Sequence, residues 1–152
     1  MADIVSAEVR SRMMSGIRSK DTRPEMIVRK GLHAAGFRYR LHTKGLQGSP
    51  DLVLPRYRAV VFVHGCFWHG HDCHLFRLPS TRTSFWQDKI SRNVERDAEA
   101  LQTLRSDQWR TAVVWECSLR GRTRKGETRV LHDLAEWLRS DADDLEIRGN
   151  IQ

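Results

Sequence analysis

The chain has 152 residues, enough for one domain with a real core, and 39% of them are hydrophobic, which excludes a disordered composition. A formal net charge of +7 favours a polyanionic partner, with nucleic acid first among candidates. No run is long enough for a transmembrane helix, there is no apolar signal core, and three cysteines are an odd set for a secreted disulfide framework. The expected compartment is therefore the cytosol, with no membrane partner.

Residues 1–20 form a basic arm or short helix, with Val9, Met13 and Ile17 on one face. It reads as a loosely docked terminus, or as an arm that orders on DNA with Met13 or Met14 as an apolar wedge. Thr22-Arg23-Pro24-Glu25 has the capping-box pattern and predicts a helix that stops near Gly36, so Glu25 has a structural explanation as a cap. Phe37 to Leu41 alternates like a half-exposed strand, and His42 to Pro50 is a loop. Asp51 to Leu54 and Ala59 to Val63 read as adjacent strands of an antiparallel hairpin. That pairing places Asp51 beside Val63 and His64.

The stretch after Val63 is the densest in chemistry. His64, Cys66, Phe67, Trp68, His69, His71, Cys73 and His74 fall within eleven positions. Imidazoles move protons near neutral pH, imidazole with thiolate suits zinc, and exposed aromatics stack on bases. A long helix from Phe85 to about Ser106 carries the apolar stripe Trp86, Ile90, Val94, Leu101 and Leu104, interrupted by Asp97. A lone carboxylate on such a face needs a partner. Arg110 to Cys117 is a strand, Arg120 to Lys125 a basic loop suited to phosphates, and Glu127 to Arg139 an amphipathic helix. Residues 140–152 read as a mobile acidic tail, leaving 21–139 as the folded domain. The class is α/β, with a central mixed sheet flanked by helices.

His71 and Cys73, joined by Cys117 and Asp97, make a four-ligand set compatible with tetrahedral zinc, leaving Cys66 dispensable. The alternative is that the cysteines are buried hydrophobes, which leaves Asp97 unexplained. Asp51 on a strand can hold Mg²⁺ against a phosphate, with His64 and His69 as general base and phosphate contact.

These residues resemble the very short patch repair (Vsr) DNA mismatch endonucleases. The matching motifs are Asp21-Thr22, Glu25, Pro50-Asp51, His64-Gly-Cys-Phe-Trp-His69, His71, Cys73 and Thr81-Arg82-Thr83. They continue through Phe85-Trp86, Lys89-Ile90, Asn93 to Asp97 and Val114 to Cys117. The resemblance spans roughly Ser11 to Trp137. It implies a core related to the PD-(D/E)xK restriction endonucleases, though Phe62-Val63-His64 stands where their second acid and lysine would be. It implies a strand-specific nick 5′ of the thymine in T·G mismatches left by 5-methylcytosine deamination. By the same resemblance, Asp51 and the Val63 carbonyl hold Mg²⁺, and His69 is the general base assisted by Asp51. His64 contacts the scissile phosphate, and Glu25 belongs to the water network around the metal. His71, Cys73, Asp97 and Cys117 correspond to a structural zinc site. Phe67, Trp68 and Trp86 correspond to an aromatic wedge, with Lys89 and Asn93 reading base edges and Met14 touching DNA. The implied partners are double-stranded DNA bearing a T·G mismatch and other mismatch-repair proteins, the implied setting a bacterial cytosol or nucleoid, and the implied state a monomer. Two competing functions are a zinc-stabilised DNA-binding module without catalysis and a restriction-type endonuclease acting on fully paired DNA.

Overall fold

The structure is a computed structural model and describes residues 22–150. The expected basic arm, including Met14, lies outside the described residues. Helix α1 spans Arg23–Ala34, and Thr22 caps it by accepting the Glu25 N–H at 3.3 Å. Strand β1 (Arg40–Leu41) is only two residues long, because Phe37 is drawn into the core and Gly36 turns the chain at φ 96°. Strands β2 (Leu52–Leu54) and β3 (Ala59–His64) form the predicted antiparallel hairpin, with Leu52 opposite Val61.

Helix α2 (Thr83–Ser106) crosses to β4 (Arg110–Trp115), which pairs parallel with β3. Helix α3 (Glu127–Arg139) leads to β5 (Asp144–Ile147), which pairs parallel with β4. The result is one mixed five-stranded sheet in the order β1-β2-β3-β4-β5. Both faces of β3 and β4 are covered, which is why these strands read as continuous apolar runs rather than clean alternation.

Alternation still decides which residue serves which layer. Leu52, Leu54, Val61, Ala112 and Val114 face α1 and α3, against Val28, Leu32, Val130, Leu134 and Leu138. Val53, Val60, Phe62 and Val113 face the other way, towards Leu104 and Leu101 of α2. His64 continues the second set, so its ring emerges on the α2 side.

Two expectations are corrected. Residues 144–147 are a sheet strand with Ile147 buried, not part of a mobile tail. Hydrogen bonding to β4 and one apolar anchor are enough to order an otherwise polar segment. On α2 the buried positions are Ile90, Ala100 and Leu104, while Val94 is exposed, so the apolar stripe is shorter than its pattern. Among the described residues, no helix is long and apolar enough to cross a membrane.

Candidate active site and metal centre

Three clusters of ligand-type side chains gather around the end of β3 and the loop that follows it. The first is Glu25, His42 and Asp51. Asp51 stands just before β2, and antiparallel pairing carries it alongside the far end of β3. There its Oδ2 accepts the Val63 N–H at 2.7 Å. Glu25 is almost completely buried, with Oε2 3.0 Å from His42 Nε2 and 3.1 Å from Arg29 Nη1. Its side chain therefore serves this cluster, beyond any capping role. Burial, with the nearby Glu25 charge, pushes the Asp51 carboxyl up to about 7 despite the bond from Val63. A cation between these carboxylates would remove that penalty, so the donor set fits a hard, oxygen-preferring ion. His42 was not singled out from sequence. Its only signal is its place on the ladder, where its N–H donates to the Asp51 carbonyl at 3.1 Å. Val63 contributes its amide to this site through Asp51.

The second cluster is His64, His69 and Asp97. The imidazoles of His64 and His69 stack at 3.8 Å with an interplanar angle of 7°. Asp97 reaches His69 Nδ1 at 2.5 Å. This corrects two expectations: Asp97 is no partner of the thiols, and the carboxylate beside His69 is Asp97 rather than Asp51. Asp97 does have a partner, as its place on the apolar stripe required, and that partner is His69. The β-hairpin and the turn after it bring His69, not the thiol cluster, under that turn of α2. Burial and the neighbouring His69 hold His64 far below the usual histidine range, at about 3, so it is neutral in working conditions. Its Nδ1 is buried without a hydrogen-bond partner among the described residues.

The third cluster is Cys66, His71, Cys73 and Cys117, whose ligand atoms all lie within 4.8 Å of one another. His71 Nδ1 is 3.5 Å from both Cys66 Sγ and Cys117 Sγ. Cys66, expected to be dispensable, takes the place assigned to Asp97. The loop reverses at Gly70 (φ 60°), and the His71 N–H donates to the Cys66 carbonyl at 2.9 Å, which folds Cys66 back over His71 and Cys73. Cys117 sits in a 3₁₀ turn, Glu116–Ser118, rather than at a strand end. Burial pushes the Cys66 and Cys117 thiols up; the Cys73 sulfur adds to this at both, while the Gly149 N–H partly offsets it at Cys117. Crowded thiols that resist ionising alone are stabilised as thiolates by a shared cation. Three sulfurs and one imidazole could hold a soft or borderline metal.

Phe67, Trp68 and Trp86 form one cluster with ring centroids 5.1 to 5.7 Å apart, all three half-buried. Phe85 adjoins it and is exposed. Asn93 lies beneath, and its Nδ2 donates to the Trp68 carbonyl at 3.0 Å, so its amide holds the loop. Lys89 is half-buried on the same helix.

The family model described as DNA mismatch endonuclease Vsr matches residues 2–75. The DNA mismatch endonuclease Vsr of Escherichia coli is 43% identical over 138 residues, 91% of this chain and 88% of its own length. The type II nicking enzyme V.XorIIP of Xanthomonas oryzae is 50% identical over 119 residues, covering 78% of this chain and 88% of the relative. V.NmeAIP of Neisseria meningitidis, also a type II nicking enzyme, is 46% identical over 122 residues, 80% and 87% of the two chains. Such identity over nearly the whole length of several relatives places the chain in the Vsr family of DNA mismatch endonucleases.

Proposed function

We propose that this protein is an Mg²⁺-dependent nickase that cuts just 5′ of the thymine in a T·G mismatch, on a restriction-endonuclease-like core. The observation that carries this reading is the meeting of two chemistries at consecutive residues of β3. The Val63 amide fixes Asp51, and His64 begins the His64–His69–Asp97 cluster.

Asp51 and Glu25, with the Val63 carbonyl and His42 at the edge, would hold Mg²⁺, which when bound polarises the phosphate and supports a water nucleophile. Asp97 accepts the Nδ1–H of His69 and so leaves Nε2 as the proton acceptor. Water adds to phosphorus, the bond to the leaving oxygen breaks, and the water's proton passes to His69 Nε2. Asp97 then faces an imidazolium and stabilises it. His64 stays neutral and offers a ring N–H to a phosphate oxygen, while its stack fixes the plane of His69. Two stacked imidazoles cannot both be protonated cheaply, and burial keeps the His64 ring the neutral one.

Cys66, His71, Cys73 and Cys117 would hold a structural Zn²⁺, a reading supported by sulfur-rich donors in a tetrahedral count. Phe67, Trp68 and Trp86 insert beside the mispair, where unstacking is least costly. Lys89 approaches the base edges. Asn93 acts one step back, by holding Trp68.

Labelled T·G duplex and its C·G control, each with Mg²⁺ or EDTA, test the reading. Nicking of the T·G duplex alone, and only with Mg²⁺, is expected. Binding without cleavage would favour a DNA-binding module, and equal cleavage of C·G a restriction-type enzyme.

A further inference from the structure

Past β5 the chain runs back onto the thiol cluster. The Gly149 N–H donates to Cys117 Sγ at 3.3 Å in a buried contact. Arg148 spans to the other half of the cluster, with Nη1 2.9 Å from the Asp72 carboxylate and Nη2 donating to the Asp72 carbonyl at 3.1 Å. The Asn150 N–H donates to the Thr123 carbonyl at 2.7 Å. Three consecutive residues thereby join the His71–Cys73 loop, the Cys117 turn and the basic loop.

We propose that residues 148–150 are a clasp that completes the metal centre, with the Gly149 amide a direct hydrogen-bond donor to the Cys117 sulfur. The inference rests on the metal reading of the Cys66–His71–Cys73–Cys117 cluster. Three thiolates around one dication carry a net negative charge, and an N–H aimed at one sulfur offsets part of it. The geometry also explains why position 149 is glycine without any need for positive φ. A Cβ there would lie 2.5 Å from Thr123 Oγ1, 2.8 Å from the Cys117 carbonyl oxygen and 2.9 Å from that of Thr123. Two of these are backbone atoms that cannot rotate aside, so any side chain pushes the amide off the sulfur. A cleft of about 220 Å³ reaches Cys73 and Cys117 from solvent, and Arg148 and Gly149 line one wall. Displacing the clasp therefore widens the path for chelators as well as removing a hydrogen bond.

The test uses the full-length protein loaded with zinc, following release into a chromogenic chelator at neutral pH. Elemental analysis of the wild type comes first: a folded wild type without metal overturns the metal reading, and the clasp with it. If the wild type holds zinc, Gly149→Ala should release it about 10- to 100-fold faster, the range expected when an outer-shell partner is lost. Arg148→Ala should give a smaller acceleration, because Asp72 is largely exposed and its ion pair is screened. Amide exchange in β3 and β4 should match the wild type in both variants, which separates clasp loss from unfolding. Zinc release at the wild-type rate from both variants would overturn the clasp while leaving the metal centre standing. Should Gly149→Ala fail to fold, an unchanged rate in Arg148→Ala would overturn it alone.

Discussion

Asp51 is held where folding alone would not put an ionised carboxylate, and Asp51→Asn measures how much that costs. Its carboxyl is pushed from 3.8 up to about 7 by burial and by Glu25. At pH 8 this corresponds to an ionisation penalty of up to about 4 kcal/mol. Asp51 keeps some contact with solvent, so a gain of about 2 kcal/mol on neutralisation is the expected size. The amide oxygen introduced by this substitution can still accept the Val63 N–H, so the change removes the charge and leaves the fixing contact. For a chain of this length that gain corresponds to a melting temperature higher by roughly 4–8 °C. The sign with pH follows from a raised acid. Below about pH 4 both forms are neutral and the variant has no advantage. As pH rises towards 7 the unfolded wild type ionises while the folded protein resists, so the advantage grows and then levels off. Saturating Mg²⁺ should shrink it, because the ion binds only the folded wild type strongly. The assay is thermal unfolding of both proteins in EDTA and in Mg²⁺ across that pH range. A variant no more stable than the wild type at pH 8 in EDTA would refute the crowded-carboxylate account of the site.

Asp97→Asn should keep its zinc by elemental analysis yet lose most nicking turnover, whereas Cys66→Ala should lose metal and fold stability; the opposite pattern would restore the ligand set expected from sequence. His42→Ala should weaken Mg²⁺ binding by loosening Glu25, read as a higher Mg²⁺ concentration for half-maximal nicking, with mismatch affinity unchanged in EDTA. Trp68→Ala should weaken T·G duplex binding by about 1–3 kcal/mol at fixed salt. Its melting temperature should fall only modestly, since the ring is half-buried; a loss of about 3–5 kcal/mol in folding would make it a core residue.

Much of the fold was legible because periodicity records burial. The β2–β3 hairpin, the boundaries of α3 and the approach of Asp51 to Val63 all follow from apolar runs and short connections. What escaped was whatever depended on tertiary distance. Asp97 announced that it needed a partner, but pattern alone cannot choose between a thiol cluster and an imidazole. Cys66 was passed over because His71 and Cys73 share a face in extended chain, whereas the chain turns sharply at Gly70. β5 was missed because its order comes from pairing with β4 rather than from its own composition. Glu25 has a cap-like position in the sequence pattern, where only the family resemblance implied a second use; its burial beside His42 and Arg29 supports that use.

On the proposed reading, Asp51 and the His64–His69–Asp97 cluster together hydrolyse one phosphodiester beside a T·G pair. It is tested most directly by mapping cleavage on a duplex labelled separately on each strand, with Mg²⁺, for the wild type and Asp51→Ala. A single cut in the thymine strand immediately 5′ of the mismatched base, an intact guanine strand, and binding without cleavage by Asp51→Ala are expected. Cuts in both strands, or wild-type nicking by Asp51→Ala, would contradict it.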